Sequence, residues 1–170
     1  MKVAVFGLWH LGSVTAACLA SAGHEVIGLD RDAGVVQALQ RGEPPLHEPG
    51  LVERIDDGLK SGRLRFTEDP AKALADAEVL WVTFDTPVNE RDEGDVAWVR
   101  GKLDAVRDAI RPGTLVLISS QVPVGFTRSP ENDWAGRGLR LAYSPENLRL
   151  GRALESFEQA ERIVVGTRTA

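Results

Sequence analysis

The sequence predicts an α/β fold, a doubly wound and mainly parallel sheet with helices on both faces. Three observations carry that expectation. Short β-branched or apolar runs alternate with helix-period stretches along the chain, as in repeated βαβ units with right-handed crossovers. Two of those runs, residues 78–84 (EVLWVTF) and 114–119 (TLVLIS), are almost continuously apolar, as expected of parallel strands covered on both faces. Residues 1–30 read strand, glycine turn, helix, strand, the opening of a Rossmann-like unit. At 170 residues, 43% hydrophobic and 26% charged, the chain suits one domain over 1–170 with a full core, and no internal repeat is visible.

The elements follow in order. Lys2–Phe6 (KVAVF) is of strand length and stops at Gly7. From Gly12, the run SVTAACLASAG places small and apolar residues at helical spacing with Gly23 as its stop, and Glu25–Leu29 (EVIGL) is the second strand. Asp32 is placed to cap a helix that carries Val35, Val36 and Leu39 up to Gly42. The loop EPPLHEPG is made rigid by its prolines, and Leu51, Ile55 and Leu59 then mark one helix face before Gly62. Leu64–Phe66 reads as a short strand, and Asp69-Pro70 opens a helix through Leu74 with proline in the tolerated first turn. After residues 78–84, the polar segment Asp85–Asp95 leads to a helix marked by Val96, Val99, Leu103, Val106 and Ile110, ended by Arg111-Pro112-Gly113. Beyond 114–119 come a loop at Ser120–Gly125, a strand at Gly138–Tyr143 and a last strand at Arg162–Gly166 (RIVVG).

A dinucleotide turn needs one glycine for a tight bend, a second for close approach to the pyrophosphate and a third for helix–strand packing. In the hexapeptide G-L-W-H-L-G, Gly7 and Gly12 supply the first and third, while Trp9 occupies the second. The helix start at His10 and Leu11 offers free N–H groups and a positive dipole end to a phosphate. Asp30 ends the second strand, where a carboxylate accepts hydrogen bonds from the adenosine ribose. Such a carboxylate repels a 2′-phosphate, which favours NAD over NADP; Arg31 beside it reads as a lid over the adenine or a solvated charge. Ligands in these sheets lie at the carboxyl ends of the strands, so Gly7–Gly12, Asp30, Thr86, Gln121 and Glu146 are expected to converge on one crevice. A secretory-signal reading of residues 2–22 is set aside, because His10 and two glycines interrupt the apolar core and only one basic residue precedes it.

Five segments in order resemble the NAD-binding domain of the UDP-glucose/GDP-mannose dehydrogenase family: VFGLWHLG, PPLHEPGL, Asp85-Thr86-Pro87, SSQVPVGFT, and YSPENLRLG followed by RIVVG. The resemblance covers nearly all of the chain. It implies a Rossmann domain that, in the family, precedes a helical linker domain and a second Rossmann-like domain, the whole oxidising the C6 alcohol of a nucleotide sugar to a carboxylate with NAD. Residue by residue it implies that Gly7, Gly12 and the backbone between them hold the pyrophosphate, that Asp30 holds the ribose and that Thr86 lies against the cofactor. Glu146, in the Pro-Glu-x-Leu segment, would stand near the nicotinamide and the reacting carbon and could position or activate a water. Read from its neighbours alone, Glu146 would be a helix-start carboxylate beside Pro145. Gln121 stands where the family usually has a threonine that helps bind that water. Trp9, Val35, Phe126 and Asn147 also depart from the commonest pattern.

The family's cysteine nucleophile, lysine and aspartate have no counterpart in this sequence, and Cys18, on a helix that packs against the sheet, is no substitute. The chain is therefore expected to be incomplete alone, needing a C-terminal substrate domain or a partner chain. Two other readings stay open: a nucleotide-binding module without redox activity, and the cofactor domain of a hydroxy-acid or hydroxyacyl dehydrogenase. The EPG loop and the PENL segment tell against the latter.

A net charge of −5 provides no general attraction for nucleic acid or anionic membrane, and no stretch is apolar enough to span a bilayer. One cysteine excludes an internal disulfide and favours a reducing cytoplasm. His10, His24 and His47 have no metal-ligand spacing, so no metal is expected, and Trp81 is expected in the core.

Overall fold

A computed structural model describes residues 1–168. β1 (Lys2–Phe6) is followed by the glycine turn and α1 (His10–Ser21), then β2 (Glu25–Leu29), α2 (Ala33–Gln40), α3 (Leu51–Lys60) and β3 (Leu64–Thr67). α4 (Pro70–Leu74) and β4 (Val79–Val82) lead through a turn-rich loop to α5 (Val96–Val106), which tightens into a 3₁₀ turn at Arg107–Ala109. β5 (Leu115–Ile118), α6 (Arg128–Asp133), β6 (Arg140–Tyr143), α7 (Ala153–Glu158) and β7 (Gly166–Thr167) complete the order. The strands form one sheet in the order β3-β2-β1-β4-β5-β6-β7, with every pair parallel except β6–β7. This is the doubly wound α/β fold that the alternation of runs predicts.

Period-two alternation places a core on each face. In β1, Val3 and Val5 enter a cluster with Val14, Ala17, Leu39, Leu51 and Ile55 on one side, while Ala4 and Phe6 pack with Leu74, Leu80, Val82, Leu103 and Ile118 on the other. Caps set the helix starts. Asp32 accepts from the amides of Gly34 (2.8 Å) and Val35 (3.3 Å), and Asp69 accepts from Ala71 (2.9 Å) one residue ahead of Pro70. Asp95 opens α5 in the same way through Trp98 (2.9 Å).

The chain leaves β1 for β2 on one side and returns to β4 on the other, so the strand order reverses between β1 and β4. Their carboxyl ends are where such sheets bind ligands. They are also joined directly: Thr83, just past β4, donates its amide to Phe6 O (2.9 Å) and its buried hydroxyl to Phe6 O (3.1 Å) and Gly7 O (2.8 Å).

Several boundaries differ from the sequence-based expectation. α1 begins at His10, two residues ahead of Gly12, because the turn is tight enough to start the helix at once. The last strand is not Arg162–Gly166: only Gly166 and Thr167 pair, antiparallel to β6, and Ile163, Val164 and Val165 stay exposed in an irregular segment. Its β-branched composition suits a strand, but the edge of β6 offers it only two residues of pairing. The short helices α6 and α7 have too few residues for a visible apolar period. Trp81 is partly buried, with its indole N–H on Ser119 Oγ (2.9 Å) and Phe157 beside it.

Gly12 tests the packing most sharply. A Cβ there would lie 1.7 Å from Gly7 O and 2.8 Å from Thr83 Oγ1, and backbone does not move aside cheaply. Gly12→Ala is expected to destabilise the chain by about 3 kcal/mol or more, the upper end of overpacking costs, as read from urea unfolding midpoints. An unchanged midpoint would show that the turn yields.

Candidate functional site

The site is built on the turn between β1 and α1. Gly7 has φ +98°, and a side chain on it would meet the Phe84 ring at 2.6 Å, so both backbone angle and space require glycine. Leu8 is fully buried and donates its amide to Asp30 Oδ2 (2.8 Å), while Asp32 donates to Asp30 Oδ1 (3.1 Å). Those two bonds orient the Asp30 carboxylate beside the turn and leave it acceptor capacity. Trp9 is the N-cap of α1 and is 48% exposed. No side chain caps α1 and no acid lies in its first turn. The first intrahelical bond is Ser13 N to Trp9 O (2.9 Å), so the amides of His10, Leu11 and Gly12 precede it. Together, an uncapped helix start, a two-glycine turn and an oriented carboxylate at the second strand fit a dinucleotide. Arg31 is exposed beside them.

Thr86 and Gln121 come together past β4 and β5. Thr86 Oγ1 donates to Gln121 O (2.7 Å) and Thr86 N to Gln121 Oε1 (3.3 Å), and both line an open cleft of about 550 Å³ with Val88, Gly94 and Pro123. Glu146 lines a second cavity of about 290 Å³ with Leu11, Trp81, Leu148 and Phe157. Asp30 lines neither. Glu146 is half-buried and accepts from Leu148 N (3.0 Å). Desolvation pushes its carboxyl above the usual range; the Leu148 amide opposes this, the Asp85 charge adds to it and His10 offsets part. Asp85 is likewise pushed up by desolvation, with His10 acting against it. In place of the single crevice expected there are two separate cavities: Leu11 and Glu146 line one, Thr86 and Gln121 the other.

Two residues of the site were not singled out by sequence reasoning. Thr83 is one, tied to the turn through the carbonyls of Phe6 and Gly7. Glu48 is the other, a residue of the EPPLHEPG loop whose side chain is buried, 2% exposed. Its Oε1 lies 2.7 Å from His10 Nε2 and accepts from Gly151 N (2.7 Å), and its Oε2 accepts from Ala153 N (3.2 Å). Burial alone would raise this carboxyl, but the Gly151 and Ala153 amides and the His10 imidazole outweigh it and hold it below its ordinary value. The rigid loop between Pro45 and Pro49 was the available hint. Cys18 is buried and its thiol is pushed up to about 12, chiefly by desolvation, so it carries no thiolate at neutral pH. Among the described residues, no group of His, Cys, Asp and Glu is placed to hold a metal ion, and no helix is long and apolar enough to cross a membrane.

Fold and site define a dinucleotide-binding domain of the dehydrogenase class. The chain belongs to the UDP-glucose/GDP-mannose dehydrogenase family: that family's NAD binding domain matches residues 1–170. It is 35% identical over 175 residues to a UDP-glucose 6-dehydrogenase of Pseudomonas aeruginosa, covering 98% of this chain and 39% of that protein. A crystal structure of a ternary complex of GDP-mannose dehydrogenase from Pseudomonas aeruginosa superposes with a TM-score of 0.91 at 29% identity, covering 98% of this chain and 41% of that one. A UDP-glucose dehydrogenase from Pyrobaculum islandicum superposes at 0.87 with 34% identity, covering 98% and 40%. The chain therefore spans about two fifths of the length of these relatives.

Because Glu48 titrates below the ordinary 4.5 in the folded chain, its stabilising contribution is present above that pH and is lost as the pH falls through its folded value. Glu48→Gln is expected to lower unfolding stability by about 2–4 kcal/mol at pH 7, by stranding buried donors. Denaturant titrations are expected to show the gap between variant and parent narrowing as the pH is taken below 4.5.

Proposed function

We propose that this chain is the cofactor-holding part of an NAD-dependent dehydrogenase that oxidises the C6 alcohol of a nucleotide sugar, with the rest of the reaction centre supplied by a substrate domain or a partner chain. The observation that carries the reading is the Asp30 carboxylate, oriented by Leu8 N at 2.8 Å beside an uncapped helix start. In this reading the backbone from Gly7 to Gly12, with Trp9, His10 and Leu11 between, takes the pyrophosphate, because free amides and the positive end of α1 face it. Asp30 accepts from the adenosine ribose hydroxyls, and Arg31 covers the adenine side. Thr86 and Gln121, already bonded to each other, border the cofactor farther along.

When bound, NAD supplies the hydride acceptor. What this chain adds is position and proton affinity. Glu146, with its proton affinity raised by desolvation, is suited to orient a water and take its proton at the acyl stage, with Gln121 as the nearby polar partner. Cys18 offers no nucleophile, so the chain alone binds and orients without completing the oxidation. The free, buried Cys18 also suits a reducing cytoplasm.

Calorimetric titration of the purified chain tests this. Saturable NAD binding is expected, weaker binding of NADP, and at least about a tenfold loss of NAD affinity in Asp30→Ala, the scale of a charge-assisted hydrogen bond. Addition of UDP-glucose or GDP-mannose with NAD is expected to produce no NADH. No saturable binding at millimolar NAD would transfer the turn to another ligand, and turnover by the isolated chain would overturn the assignment of missing groups.

A further inference from the structure

We propose that Glu48 and His10 form a positioning dyad that fastens the dinucleotide turn to the segment carrying Glu146. The inference rests on the cofactor reading above and adds to it two residues acting through a buried link. His10 is the first residue of α1, and its own amide is one of the three that precede the first helical bond. Its side chain turns away from solvent to reach Glu48 at 2.7 Å, with 14% of that side chain exposed against 1% for Glu48. The same carboxylate holds the amides of Gly151 and Ala153, in the turn that follows Pro145–Leu148 and at the first residue of α7. Among the described residues, no other side-chain hydrogen bond joins the start of α1 to residues 146–153.

The chemistry of the link requires a charged carboxylate. Three N–H groups converge on two oxygens, a set that an ionised glutamate satisfies; a glutamine offers one acceptor oxygen and turns an NH₂ group toward the remaining donors. With Glu48 ionised, His10 Nε2 is the donor, which fixes the orientation of the ring and leaves Nδ1 as its free nitrogen. The charged groups acting on Glu146 are Asp85 and His10, of opposite sign. His10 therefore touches both functions of the site: its backbone belongs to the phosphate turn, and its imidazole counters the carboxylates at the other end. A structural plug would need only volume and two backbone bonds, and Glu48 has those without His10.

The test uses the whole chain with Glu48→Gln, Glu48→Asp, His10→Gln and the Glu48→Gln/His10→Gln double variant. Thermal melts establish which are folded, NAD affinity is read by calorimetry, and the Glu146 titration midpoint is read by carboxyl ¹³C NMR without NAD. Each of Glu48→Gln and His10→Gln is expected to weaken NAD binding about tenfold, and the double variant no more than either, because both break one link. Glu48→Asp, which keeps the charge, is expected to retain more affinity than Glu48→Gln. His10→Gln is expected to raise the Glu146 midpoint by removing the imidazole that opposes the Asp85 charge. Folded variants with parental NAD affinity, or losses that multiply in the double variant, would overturn the dyad. If Glu48→Gln does not fold, His10→Gln decides alone, since it leaves Glu48 its two amide donors. If the parent chain binds no NAD, the cofactor reading fails by itself, and a Glu146 midpoint unmoved by His10→Gln then sinks the dyad separately.

Discussion

The carbonyl of Gly7 occupies the space that any side chain on Gly12 would need, and the rest of the site depends on that contact. It lets α1 begin three residues after the turn glycine, which brings the helix start hard against the end of β1. From that placement follow the direction of the open amides, the burial of Leu8 and the aim of its N–H at Asp30. Thr83 closes the same corner from β4, so the strand-order reversal is bonded to the turn as well as adjacent to it. Phe84 adds a packing wall: it stacks edge-on with Phe6 and Trp98 and fills the space over Gly7. The turn is thus shaped by steric exclusion, and the polar groups around it are oriented by bonds that the exclusion makes possible.

Carboxylates near this corner share a neighbourhood and diverge in character. Glu48 is the most deeply buried, yet three donors keep it ionised. Glu146 and Asp85 have fewer compensating donors, so desolvation dominates and their proton affinity rises. Environments that push neighbouring acids in opposite directions separate structural charge from groups suited to proton transfer. Here the separation falls between a buried, ionised carboxylate within a proline-rich loop and a half-buried carboxyl facing a cavity. Cys18 marks the limit of this chain's chemistry, since a thiol raised to about 12 is packing material.

The chain belongs to the UDP-glucose/GDP-mannose dehydrogenase family, and the matched relatives are about two and a half times as long. A domain that covers 39% of such a relative can present a well-formed cofactor turn while its second compartment, bounded by Thr86 and Gln121, stays open. Trp9, the largest departure from a dinucleotide fingerprint, sits at the helix N-cap and stays about half exposed.

The alternation of strand and helix runs, the two buried parallel strands and the caps at Asp32 and Asp69 were legible in the sequence because each depends on residues close together in the chain. So were the turn glycines Gly7 and Gly12 and the position of Asp30 beside them, which follow from backbone geometry at fixed spacing. The pairing of Thr86 with Gln121 was legible only as shared location at strand ends; which atoms meet is set by the register of β4 on β5. The last strand failed because β-branched composition reports strand propensity and not whether a neighbour offers an edge, and Ile163–Val165 have none. Glu48 was hidden for a deeper reason. Its partners lie 38, 103 and 105 residues away, and nothing local distinguishes a glutamate that will be buried and charged from one that stays in water. By itself the sequence determined the fold class, the glycine turn and the carboxylate that ends the second strand, all local constraints. Only the tertiary structure decided which carboxylate is held ionised and which has its proton affinity raised, because that choice depends on desolvation and on donors brought from distant segments.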